Sequence, residues 1–156
     1  MKPTRSVEPW LLEPLERFVT EAGARLTLVM TPSGQVMAQH GFTRAVDVMA
    51  AAALGAGIVA STEELARMVA EPAFQALNHQ GVKHGIWLAG FDGPRGRLLL
   101  LVVYGPDSSV GLVQLFFEEL VADLAAAGPA PAPTEPVLAA DFERDLNRSL
   151  AALFKT

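Results

Sequence analysis

The continuous apolar run RLLLLVVY at residues 97–104 restricts the fold more than any other feature of the sequence. A run of this length, bounded by Arg97 and by the turn sequence GPDSS, is typical of a strand buried in the middle of a sheet. The apolar segment GIWLAGF at residues 85–91 precedes it across the loop FDGPRGR, so the two strands are expected to form a hairpin. The chain therefore has to build a sheet around this strand.

Three further segments are candidate strands of that sheet. Residues 26–30 place Leu26, Leu28 and Met30 at alternate positions, as a strand does. The turn signal TPSG follows, and QVMAQ at residues 35–39 returns as a second strand, which predicts another hairpin. Residues 74–80, FQALNHQ, are a weaker strand candidate.

Residues 9–22, 44–71 and 109–127 each have helical periodicity or composition. Pro14 is expected in the first turn of the first helix, where a missing N–H does little harm. Pro72 marks the end of the second, alanine-rich helix. The order α-β-β-α-β-β-β-α predicts an α/β domain, of the α+β sandwich type, with a five-stranded sheet and helices.

The composition argues against several classes of function. The 156 residues suit one domain, and 51% hydrophobic with 19% charged residues indicates a globular body. A net charge of −5 disfavours nucleic-acid binding and electrostatic docking on acidic lipid. The absence of cysteine excludes disulfides, thiol catalysis and cysteine zinc sites. The first residues lack the apolar core of a signal peptide, and the apolar run at 48–60 is shorter than the roughly 18 residues of a membrane span, so a cytoplasmic protein is expected.

The composition changes near residue 127. We divide the chain into a domain at 1–127, a Pro/Ala linker at 128–136 and a C-terminal amphipathic helix at 137–156. So short a helix is marginal alone in water, so its apolar face needs its own domain, a sister subunit or a groove in another protein. The apolar residues of this helix are Phe142, Leu146, Leu150, Leu153 and Phe154.

The stretch LGAGIVAST at residues 54–62 matches the spacing G-x-G-x-x-A of a dinucleotide-binding loop. That fingerprint requires a preceding strand and a tight turn, whereas the flanking residues here are helical, so no cofactor is expected. Glycine inside a helix costs roughly 1 kcal/mol relative to alanine, and close packing offsets such a cost. The small residues therefore predict close approach of another element, either the domain's own sheet or a partner protein.

No catalytic or metal constellation is evident. The histidines, His40, His79 and His84, lack metal-ligand spacing, and the chain has neither a G-x-S-x-G nor a P-loop motif. We therefore predict no catalytic residue and no metal. Four arginines could in principle be supplied in trans to a GTPase, although each is more simply a solubilising surface residue: Arg44, Arg67, Arg95 and Arg97.

Three segments carry a resemblance to a known family. They are LVMTPSGQVMAQ, GIVASTEELARMVAEPAFQALNHQG and LLLVVYGPDSSVGLVQLFFEEL, of which DSSVGLV at residues 107–113 is the most suggestive piece. With their element order they resemble the Roadblock/dynein light chain family, and within it the bacterial gliding proteins. The likeness runs from about residue 13 to residue 126 and extends to a spacer followed by a short terminal helix.

The resemblance implies a homodimer in which the central helices pair and an edge strand of each subunit joins one continuous sheet. It implies a partner, a Ras-like small GTPase of the MglA type, whose GTP hydrolysis the dimer accelerates by repositioning the GTPase's own residues, in cell polarity and gliding motility. The terminal helix would dock elsewhere on the GTPase. One alternative is a Roadblock scaffold or adaptor that binds a GTPase or another Roadblock protein without activating hydrolysis. Another is a small-molecule-binding enzyme, which the lack of convergent polar residues disfavours. The positions that match the family imply that Gly57, Ala60, Ser61 and Glu64 lie at the contact with the GTPase.

Overall fold

The computed structural model describes residues 4–129 and 136–153, with side chains at 144 and 146–153 in the second range. Four helices lie in this part of the chain: α1 (Pro9–Ala22), α2 (Ala45–Met68), α3 (Val110–Ala127) and α4 (Pro136–Leu153). The strands are β1 (Arg5–Ser6), β2 (Ala24–Met30), β3 (Val36–His40), β4 (Ala76–Gln80), β5 (Gly85–Gly93) and β6 (Gly96–Tyr104).

The predicted central strand is confirmed as β6. The six strands form one sheet in the order β1-β3-β2-β6-β5-β4, and every neighbouring pair is antiparallel. Leu99 and Leu100, which point to opposite faces of the sheet, are both completely buried. A strand can be apolar at successive positions only where both faces are covered, and β6 meets that condition.

Two separate apolar clusters cover the two faces. On one face α1 and α3 pack over the sheet, with Phe18, Leu120 and Trp87 among the buried residues. On the other face α2 alone covers the sheet, through Val48 and Ala52. A single helix covers less of a sheet than two helices do, so the face under α2 is the less enclosed of the two.

The structure differs from the sequence-based expectation in two details. The sheet has six strands rather than five, because β1, only two residues long, pairs with β3 through Arg5 and Ser6. Two residues are too short to carry an alternating pattern. Pro14 lies well inside α1 instead of in its first turn, since the helix already begins at Pro9. The fold class itself is confirmed.

Candidate functional site

The small-residue face of α2 points away from the sheet. Gly57, Ala60, Ser61 and Glu64 are all exposed in the structure. A Cβ atom built on Gly57 would meet no other atom within 4 Å, so the domain's own packing does not require glycine there. The neighbouring Gly55 differs, because it is buried and its Cβ would lie 2.8 Å from Cε of Met30. Gly57 thus faces open space, whereas Gly55 packs against the sheet.

The hydroxyl groups on this part of α2 are already satisfied within the helix. Ser61 Oγ donates to the carbonyl oxygen of Gly57 at 2.9 Å, and Thr62 Oγ1 donates to that of Ile58 at 2.8 Å. Back-bonding of this kind is common for Ser and Thr in helices. These hydroxyl groups already have acceptors within the helix. The small side chains around Gly57 instead allow another molecule to approach the helix backbone closely.

One ion pair stands at the C-terminal end of this face. Arg67 donates through its guanidinium to the carboxylate of Glu64, three residues earlier, and both side chains are well exposed. The hydrogen bond to Glu64, followed by the charge of that carboxylate, raises the pKa of Arg67. Sequence reasoning singled out Glu64 but did not connect it to Arg67, although the spacing of three residues on a helix was a usable signal.

A flank of α2 next to the sheet edge is apolar and exposed. Together with Phe74, the residues Ile58 and Thr62 line a cleft between α2 and β4. β4 is the last strand of the sheet and pairs with β5 on one side only. The apolar flank and an unpaired strand edge therefore adjoin. From residue 54 onward, the large exposed apolar residues of α2 are Leu54, Ile58, Leu65 and Met68.

Helix α2 is also long and apolar enough to cross a membrane, judged by length and composition alone. The sequence predicts this helix at residues 44–71, of which only the apolar run at 48–60 was weighed as a membrane span. Val48, Ala52 and Ala66 are buried against the rest of the domain, although only 22% of the most apolar 18-residue window is buried, and Glu63, Glu64 and Arg67 interrupt the apolar run near the end of the helix. One such helix is weak evidence for a membrane span, because helices of water-soluble proteins pass the same test.

The predicted apolar stripe of the terminal helix is exposed where it is described. Leu146, Leu150 and Leu153 are 46%, 44% and 78% exposed. They recur at spacings of four and three residues, which places them on one face of α4. The side chain of Phe142 and the whole of Phe154 lie outside the described residues. The terminal helix thus presents a second apolar surface on a different element from α2.

The remaining candidates are exposed or half-buried and lie in separate places. In the described ranges no group of three or more acidic residues and histidines could hold a metal ion. His40 Nδ1 lies 2.8 Å from Thr4 Oγ1, and His84 Nε2 lies 3.0 Å from Arg25 Nη1. The arginines weighed for a trans-acting role each face a carboxylate: Arg44 faces Asp47, Arg67 faces Glu64, Arg95 faces Glu8 and Arg97 faces Asp92.

Neither a family model nor a curated protein sequence matches this chain. Several solved structures do. Myxococcus xanthus MglB is 26% identical, with 77% of this chain and 95% of that chain covered and a TM-score of 0.68. The gliding protein MglB from Thermus thermophilus is also 26% identical, with 81% and 97% covered and a TM-score of 0.66.

A third structure names the fold more broadly. The Roadblock/LC7 domain from Streptomyces avermitilis has a TM-score of 0.62 over 76% of this chain and 95% of that chain; at 14% identity it speaks for the fold alone. The two MglB structures add sequence identity to the same architecture over nearly their whole length. The chain therefore has the fold of the Roadblock/LC7 domain and is similar in fold and sequence to the bacterial gliding protein MglB.

Proposed function

We propose that this protein is a cytoplasmic, homodimeric activator of a Ras-like small GTPase of the MglA type, acting in cell polarity or gliding motility. The observation that carries the proposal is the exposed face of α2 around Gly57. Glycine inside a helix is destabilising, and at this position no contact within the domain compensates for it. Close approach of a partner's backbone or side chains to the helix explains why glycine is present at this position.

The exposed apolar flank of α2 supports the homodimer in this proposal. Ile58 lines the cleft between α2 and β4, whose outer edge is unpaired, and Leu54 and Leu65 are further exposed apolar residues of the same helix. An exposed strand edge favours pairing with another strand, and an adjoining apolar helix flank adds the buried area that a stable interface needs. A second copy of the chain supplies both the strand and the flank. This leaves Gly57, Ala60, Ser61 and Glu64 for the GTPase.

The chemistry of hydrolysis resides in the partner. The proposal assigns the dimer no catalytic group, and the arginines already face carboxylates on the surface. A flat, closely approaching helix face suits the alternative way of activation, in which the bound surface holds the GTPase's own catalytic residues in their reactive arrangement. Activation then depends on shape at residues 57–64 rather than on a donated side chain.

The terminal helix contributes to the same complex in this proposal. The exposed Leu146, Leu150 and Leu153 form the kind of stripe that an apolar groove on a partner accepts. By sequence, Phe142 and Phe154 extend the stripe at either end. Tethering to the domain raises the local concentration of the helix near a GTPase that is already bound to α2.

A matched pair of glycine substitutions tests the surface. Gly57→Arg places a long charged side chain in open space, so it leaves the fold intact and raises the Kd for the GTP-loaded GTPase by about tenfold or more. Gly111→Arg is the control, because Gly111 is an exposed helical glycine of α3 whose Cβ would meet only Ser109 Oγ, at 3.8 Å. Isothermal titration of both variants measures the difference. Equal binding by Gly57→Arg and the unmodified protein would remove the α2 face from the proposal.

A further inference from the structure

A half-buried tryptophan, Trp10, lies at the corner of the domain where α1, the end of α3 and the β5–β6 hairpin meet. Trp10, in the first turn of α1, lies between two grooves. One groove, of about 340 Å³, runs between α1 and α3 and is lined by the apolar Pro9, Pro14 and Ala126 and by the charged Glu13, Arg17 and Asp123. The other, of about 110 Å³, lies against the β5–β6 hairpin and is lined by Met37 and Leu98 together with the charged Glu8, Arg95 and Arg97. Trp10 thus has both apolar and charged neighbours in each groove.

The tether of the terminal helix leaves the domain at this same corner. Ala126 and Ala127, the last residues of α3, line the groove beside Trp10. Gly128 then packs so closely on Pro94 of the β5–β6 hairpin that a Cβ atom would overlap the proline ring. This packing fixes where the tether starts, and the start lies at the mouth of the groove.

The lengths of tether and helix allow the helix to return to its point of departure. Eight residues separate Ala127 from Pro136 and reach at most about 26 Å when extended. The 18 residues of α4 span about 27 Å. A tether and a helix of equal length can fold back on each other, which brings the second half of α4 to the corner. That half carries the exposed Leu146, Leu150 and Leu153.

We propose that in the free protein α4 docks on its own chain at this corner, with its leucine stripe in the groove between α1 and α3 beside Trp10. The observations that select this occupant are the origin of the tether in the groove wall and the matching reach of tether and helix. In the proposed function the same stripe engages the GTPase, so the docked helix is a resting state from which the GTPase releases it. The release step rests on the proposed function, whereas the docking does not.

Fluorescence quenching by Trp10 tests the docking in the full chain. Because the protein has no cysteine, Ser149→Cys provides a single site on α4 for a bimane dye, which tryptophan quenches on contact. The other tryptophan, Trp87, is 1% exposed and inaccessible to the dye. We expect the dye to be quenched in the free protein and to recover when Trp10→Phe is introduced. Equal fluorescence with and without Trp10 would overturn the docking.

Two further variants separate specific docking from chance collision. Leu150→Asp puts a charge into the stripe and should abolish the quenching, since burying an unpaired charge is unfavourable. Ala151→Asp adds the same charge next to it on another face of α4 and should preserve the quenching. Labelled protein carrying Trp10→Phe, mixed with unlabelled protein that retains Trp10, should stay bright. Quenching in that mixture would assign the helix to the neighbouring subunit and contradict docking on the same chain.

The GTP-loaded GTPase tests the release. Adding it to the labelled protein should restore fluorescence in proportion to the amount bound. Persistent quenching in a complex that titration shows to have formed would refute the release step. If no complex forms, the proposed function fails and the quenching in the free protein still decides the docking.

Discussion

At the scale of single residues, two glycines two positions apart in α2 have different physical roles. Gly55 is buried, and a Cβ atom there would press on Met30, so the core requires its small size. Gly57 is exposed, and no contact in the domain requires it. A residue that lowers helix stability without a structural reason is most simply explained by binding. This contrast is the strongest argument from the structure for a partner on α2.

Substitution by alanine at both positions tests this contrast. Gly57→Ala should raise the free energy of unfolding by about 1 kcal/mol, because alanine is the better helix former and nothing obstructs its Cβ. Gly55→Ala should gain less or lose stability, because the fully buried Met30 has to move. Urea unfolding at one protein concentration measures both values. An equal gain in the two variants would mean that the surroundings of the glycines do not differ.

Ala70, just beyond the end of α2, has a strained backbone conformation that a substitution can relieve. Ala70 has φ of 56°, a left-handed conformation, while Glu71 N donates to the carbonyl of Ala66 at 2.9 Å. This is the Schellman arrangement, in which glycine is the usual residue at the left-handed position. Ala70→Gly should therefore raise the free energy of unfolding by about 0.5–1 kcal/mol.

The control for Ala70→Gly is the same change at the exposed Ala53, inside the regular part of α2. Ala53→Gly should lower the free energy of unfolding by about 1 kcal/mol. Thermal and urea unfolding of the two variants should thus differ in sign. Destabilisation by Ala70→Gly would contradict the left-handed geometry at the helix end.

The candidate site could be predicted only in part from single residues. The family resemblance implied Gly57, Ala60, Ser61 and Glu64 as a group, and all four are exposed on α2 in the structure. The sequence could not separate Gly57 from Gly55, because α2 is apolar on nearly every side and gives no sharp boundary between faces. Which face packs is decided by the sheet beneath it, through contacts such as Gly55 to Met30.

At the scale of elements, α2 carries two exposed surfaces with different compositions. The face around Gly57 combines the small residues Ala60 and Ser61 with the charged Glu64, whereas larger apolar side chains such as Ile58 and Leu65 are exposed elsewhere on α2. A partner that approaches closely suits the first, and a large buried interface suits the second. In our proposal the GTPase and the second subunit contact separate parts of this helix.

The flank is tested by a charge at Leu65. Leu65→Asp should shift the protein from dimer to monomer, because the carboxylate would be buried in the interface between subunits. Leu115→Asp on α3 is the matched control, since Leu115 is 51% exposed and Leu65 is 55% exposed. Sedimentation velocity gives the mass of each species. A Leu65→Asp variant that remains dimeric would place the interface elsewhere.

Elements with long patterns were predicted from the sequence, and short ones were not. The five strands with apolar or alternating patterns and all four helices are present in the structure. β1 has only two residues, and its pairing with β3 depends on where the chain enters the domain. Pro14 suggested a helix start because proline is favoured there, but Pro9 takes that place and the helix continues through Pro14.

At the scale of the whole molecule, the unequal covering of the sheet determines where partners can bind. Two helices cover one face and bury Trp87 and Phe18, while α2 alone covers the other face. The open edge at β4 and the exposed side of α2 thus lie where the sheet is least enclosed. In our account the domain is a rigid surface that acts on a GTPase, with a tethered helix as a second point of contact.

The most direct test of this account is single-turnover GTP hydrolysis by an MglA-type GTPase, measured with and without a molar excess of the protein. The account predicts an acceleration of about tenfold or more, equivalent to about 1.4 kcal/mol of transition-state stabilisation. Gly57→Arg should lose the acceleration and Gly111→Arg should retain it. Tight binding of the GTP-loaded GTPase with an unchanged hydrolysis rate would contradict activation and leave a scaffold.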